Sequence, residues 1–137
     1  MKLLTAIVAW VLLAAPALAQ YDAEIETAER SVRAWLALVD SSQYALSWEQ
    51  SASFFRAAIT QEDWDAALQG ARTPFGALQS REKANATYAK TLPGAPDGEY
   101  VVFEFNTAFE NKAAAVETVT AMRDIGGSWR VGGYFIR

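Results

Sequence analysis

Tyr100-Val101-Val102-Phe103-Glu104-Phe105-Asn106-Thr107-Ala108-Phe109 decides the fold. With a two-residue side-chain period, Val101, Phe103, Phe105, Thr107 and Phe109 share one face of a strand. Glu104 and Asn106 fall on the other face. A strand with one apolar face needs another layer to cover it. Downstream, Glu110-Asn111-Lys112 reads as a turn, and Val116–Arg123, rich in Thr and Val, as the next strand. Asp124-Ile125-Gly126-Gly127-Ser128 turns again, with glycine supplying the positive φ of a tight hairpin. Trp129–Ile136 closes the chain as a last strand. Its alternation predicts Trp129, Val131, Gly133 and Phe135 on one face, and Arg130, Gly132, Tyr134 and Ile136 on the other. Gly132-Gly133 marks either a bulge that lets the sheet curve or a close approach by backbone or ligand. Upstream, Leu92–Gly98 is a dense turn cluster, and the polar residues 77–91 read as an edge strand.

Before residue 75 the apolar spacing is helical. Ile25, Ala28, Val32, Trp35, Leu36 and Val39 form one stripe over residues 22–39. Glu24, Glu26 and Glu29 crowd its first half, where the helix dipole favours anions. Asp40-Ser41-Ser42 breaks the helix. Ser47-Trp48-Glu49-Gln50 has the form of a capping box and predicts a helix burying Trp48, Ala52, Phe55 and Ile59. Thr60-Gln61-Glu62-Asp63 starts a further helix carrying Trp64, Ala67, Leu68 and Ala71, which Gly70 and Thr73-Pro74-Phe75-Gly76 end. Helices first and an antiparallel meander second imply an α+β fold, with N-terminal helices packed on a curved C-terminal sheet.

Residues 1–19 have a basic start at Lys2, an apolar run from Leu3 to Ala15, and the small residues of Ala17-Leu18-Ala19. This is the layout of a secretory signal peptide cut before Gln20, and the run is short for a membrane span of about 20 apolar residues. The expected address is the bacterial periplasm or the exterior, with residues 20–137 as a single domain and no membrane anchor after cleavage. The chain has 12 basic and 16 acidic residues, a net charge of −4, and neither cysteine nor histidine. An acidic chain without a basic block is a poor nucleic-acid binder. The missing residues exclude disulfides, thiolate metal sites, Cys–His or Ser–His–Asp catalysis, and the commonest general base. Phosphate-loop, dinucleotide, EF-hand and zincin spacings are absent, so neither metal nor cofactor is implied.

The remaining candidates are aromatic and cationic. Trp35, Trp48, Trp64 and Trp129 either line an aromatic ligand pocket or build the core of a small domain; such a pocket would be bounded by Trp48, Phe55, Trp64 and the face of Phe103 and Phe105. Arg56, Arg72 and Arg81 either gather into an anion site or pair separately with carboxylates. Glu104 reads as a pocket base or, by its alternation, as an outward group paired with Arg130 across the sheet.

Long stretches resemble the DUF4019 family of small secreted bacterial proteins of unknown function. They include Trp35–Asp40, Ser47-Trp48, Phe55-Arg56, Trp64, Arg72–Gly76, Ser80-Arg81, Leu92–Tyr100, Glu117–Thr120 and Trp129–Arg137. That resemblance implies an export route and no mechanism. The order of elements also resembles the NTF2-like or cystatin-like cone, in which helices lie in the cup of a curved sheet; fold alone does not assign function. The residues favour a non-catalytic module binding a small molecule or peptide. The alternatives are a module pairing through its sheet, with another copy of itself for example, or an enzyme using a carboxylate and a tyrosine.

Overall fold

The decisive strand occupies Tyr100–Phe109, here β2, and its alternation is realised: Val101, Phe103, Phe105, Thr107 and Phe109 are all buried. The computed structural model describes residues 17–137. The signal segment expected before Gln20 lies outside them apart from Ala17–Ala19. Four helices come first: α1 (Ala17–Asp40), α2 (Tyr44–Glu49), α3 (Ser53–Ala58) and α4 (Gln61–Arg72). A 3₁₀ turn, Thr73–Phe75, leads into β1 (Leu78–Ala89), followed by β2, β3 (Lys112–Arg123) and β4 (Trp129–Ile136). The sheet is antiparallel with order β1-β2-β3-β4. The fold is therefore α+β.

The α1 stripe of Ala28, Val32, Trp35, Leu36 and Val39 joins Trp64 and Leu68 of α4 over the apolar face of β2, β3 and β4 in one core. Thr60 caps α4 as its sequence implies, its hydroxyl accepting from the Asp63 amide at 3.2 Å. Gly70 does not end that helix, which continues to Arg72. Gly126 and Gly127 take positive φ at the β3–β4 hairpin. Among the described residues, no helix is long and apolar enough to cross a membrane.

Four further expectations are corrected. Ser47 does not cap a helix: it lies inside α2, fully buried, and its hydroxyl donates to the Tyr44 carbonyl at 2.6 Å and accepts from the Trp64 indole at 3.0 Å. The chain instead breaks at Ala52, which is extended and donates its amide to the Val131 carbonyl at 2.7 Å. Second, α1 is already helical at Ala17, the first described residue, rather than from residue 22, and its glutamates form ion pairs. Glu29 meets Arg33 and Lys83, and Glu24 meets Arg123.

Third, the β3–β4 register slips between Thr120 and Ala121, leaving Gly132 as the bulged residue. The slip inverts the second half of β4. Tyr134 faces the core, edge-on to Trp35 at 5.3 Å, while Phe135 is 60 % exposed. A Cβ on Gly132 would lie 2.7 Å from the Met122 sulfur, so a larger residue there must displace that side chain. Fourth, Arg130 does not pair with Glu104. Glu104 shares its row with Thr118 and Phe135, whereas Arg130 lies opposite Met122.

Candidate functional site

Arg81 stands on the core-facing side of the edge strand β1, where an unpaired guanidinium would be costly. It is satisfied from two sides. Its Nε and Nη2 donate to Glu117 at 2.7 and 3.2 Å, and its Nη1 and Nη2 donate to Asp40 at 2.8 and 2.9 Å. Asp40 ends α1, where the helix dipole disfavours an anion, and a second cation compensates: Arg72, ending α4, donates its Nη2 at 2.9 Å. The Arg72 guanidinium lies 4.5 Å from the centre of the Phe109 ring, whose face carries part of its charge.

Glu117 is 0 % exposed on the core face of β3. Besides Arg81, it accepts from the Thr107 hydroxyl at 2.6 Å and from the Tyr134 hydroxyl. Burial and the adjacent Glu117 carboxylate push the Tyr134 phenol well above its ordinary range. Two arginines and two carboxylates thus cancel in charge, and the group ties two helix ends to all four strands. Both Glu117 oxygens carry two donors each, so the carboxylate has no lone pair left for a substrate proton. This is a structural clamp.

The sequence singled out Arg72 and Arg81 but not their partners. Two signals mark those partners. Alternation in β3 puts Glu117 on a face with Ala115, Val119 and Ala121, and a charge among apolar residues is the informative exception. Asp40 sits at a helix C-terminus, a position that calls for a cation.

The other candidates lie apart from the clamp. Arg56 is exposed on α3. Trp48, Phe55 and Trp64 gather: the Trp48 indole donates to the Ile59 carbonyl at 2.9 Å, and Phe55 meets Trp64 edge-on at 4.9 Å. Phe103 and Phe105 stack at 6.0 Å, fully buried beneath the helices. These five rings fill the core or pack against it.

A cleft of about 400 Å³ lies elsewhere, between α1, α2 and the start of β4, and the core rings Trp35 and Trp129, only 3 % and 5 % exposed, show their edges at its floor. Ala34, Trp35, Leu38, Leu46, Trp129 and Val131 form its apolar lining, and Ser31, Gln50, Ser128 and Arg130 its polar one. The Trp35 indole N–H is committed inward, to the Ser47 carbonyl at 2.8 Å and the Ser51 hydroxyl at 3.1 Å. That of Trp129 is committed to Glu24 at 3.1 Å. The two rings therefore offer the cleft apolar contact and no indole donor. Of the eight predicted site residues, none lines this cleft. Among the described residues, no group of three or more acidic side chains is placed to hold a metal ion.

The family described as Protein of unknown function (DUF4019) matches residues 31–134. That span holds every clamp residue and every residue lining the cleft. Comparison with curated proteins finds no match, and comparison with solved structures finds none. The likeness to the NTF2-like cone thus stays at the order of elements. The match covers more than half of the sequence, and the chain belongs to the DUF4019 family.

Proposed function

We propose that the chain is a non-catalytic binding domain, exported to the bacterial periplasm or exterior after loss of residues 1–19. Its cleft between α1, α2 and β4 takes a small apolar ligand or a side chain of a peptide. The observation that carries this proposal is the cleft itself. At about 400 Å³ it falls in the size range of small-molecule sites, and it has a mostly apolar wall with a few polar groups. The saturated Glu117 carboxylate favours binding over acid–base catalysis. Native mass spectrometry of protein purified from the periplasm tests the proposal. The wild type should retain a small molecule and begin at Gln20. Ala34→Trp, which fills the cleft from α1, should lose the ligand. Protein that carries nothing and binds hydrophobic probes no better than Ala34→Trp would refute it.

A second function, pairing through the sheet, is favoured by Phe135, an exposed ring on the outer strand β4. Gel filtration at high concentration should then show a dimer that Phe135→Ser dissolves.

A further inference from the structure

We infer that the cleft selects an amphipathic anion: an aromatic or branched aliphatic carboxylate, with its acid group on Arg130 and its hydrocarbon against Trp35, Leu38, Leu46 and Trp129. The inference rests on the proposal that the cleft is a binding site. Among the ten residues lining it, Arg130 alone carries a charge. The Trp35 and Trp129 indole N–H groups are already used within the protein, so the tryptophans supply dispersion and no polar anchor.

Arg130 is weakly engaged for an arginine. Its Nη1 donates to the Gln50 carbonyl at a long 3.3 Å, and its Nε stands 3.8 Å from Asp124. Asp124 is itself occupied: its carboxylate accepts from the Ser53 amide and hydroxyl and from the Ile125 amide. Donor capacity therefore remains on the guanidinium, at the edge of an apolar slot. A carboxylate placed there forms charge-assisted hydrogen bonds, while an ammonium group is repelled.

The test measures binding of three isosteric probes by calorimetry at low ionic strength: 4-phenylbutanoate, its neutral amide and 4-phenylbutylamine. The carboxylate should bind about tenfold or more tighter than the amide, and the amine weakest. Added salt should narrow the gap. Arg130→Gln should bring the carboxylate down to the amide's affinity and leave the amide unchanged; Arg130→Lys should keep part of the preference. Equal affinities for the three probes, or an unchanged carboxylate in Arg130→Gln, would overturn the anion selectivity while leaving the cleft a binding site. If no probe binds the wild type more tightly than Ala34→Trp, the binding proposal fails, and the selectivity with it.

Discussion

Replacing Arg81 by methionine keeps most of its aliphatic bulk and removes all four hydrogen bonds that it gives to Glu117 and Asp40. Asp40 retains Arg72 at 2.9 Å. Glu117 retains only the Thr107 and Tyr134 hydroxyls and no cation, at a position with no exposure to solvent. Breaking a buried ion pair from one side costs about 3–5 kcal/mol, because a charge is left uncompensated. For a domain of this size that is a fall of roughly 10–20 °C in Tm. Glu117→Leu together with Arg81→Met removes the stranded charge but leaves the Thr107 and Tyr134 hydroxyls without their acceptor, so the double variant should recover part of the loss and cost less than the sum of the two singles. Urea unfolding followed by tryptophan fluorescence gives all four corners of the cycle. A cost below about 1 kcal/mol for Arg81→Met, or a double variant no better than the sum of the singles, would refute the clamp as an interdependent buried unit.

Phe135→Ser should change stability by less than about 0.5 kcal/mol, as for an exposed site, whereas Tyr134→Phe removes a donor to buried Glu117 and should cost about 1–3 kcal/mol by urea unfolding. Gly132→Ala should cost roughly 1–3 kcal/mol through contact with Met122, and adding Met122→Ala should relieve much of the strain on the same scale. At alkaline pH, Tyr88 ionises only near about 12, through burial and its hydrogen bond to Glu99. Tyr100 and Tyr134 are raised as well, mainly by burial. The folded state holds these protons more tightly than the unfolded chain, so their contribution to stability is intact below pH 10 and declines above it. Denaturant titrations across this window should show stability falling between about pH 10 and 12, and falling more gently in Tyr88→Phe than in the wild type.

The bounds of β2 and β4 were legible to the residue because glycine- or proline-bearing turns precede them, and the faces of β2 because its periodicity is local. The first helix was legible because its stripe repeats over several turns. The capping box at Ser47 misled because a serine hydroxyl serves a helix start and a buried indole equally well, and only the position of Trp64 decides between them. The candidate arginines were half legible: Arg72 and Arg81 do converge, yet on the protein's own carboxylates, which come from a helix end and a strand distant in sequence.

Residue types and their spacing alone determined the layers: helices before a meander, a phenylalanine face turned inward, and no histidine or cysteine chemistry. Those properties follow from side-chain period and inventory, which each segment carries by itself. Tertiary structure alone decided which face Tyr134 takes, where Glu117 finds its cation, and which tryptophans border open space. A single bulged glycine shifts every later residue of its strand to the opposite face, and long-range pairing fixes where that bulge falls. Whether aromatic rings fill a volume or border one depends on how separate elements meet, which no local pattern encodes.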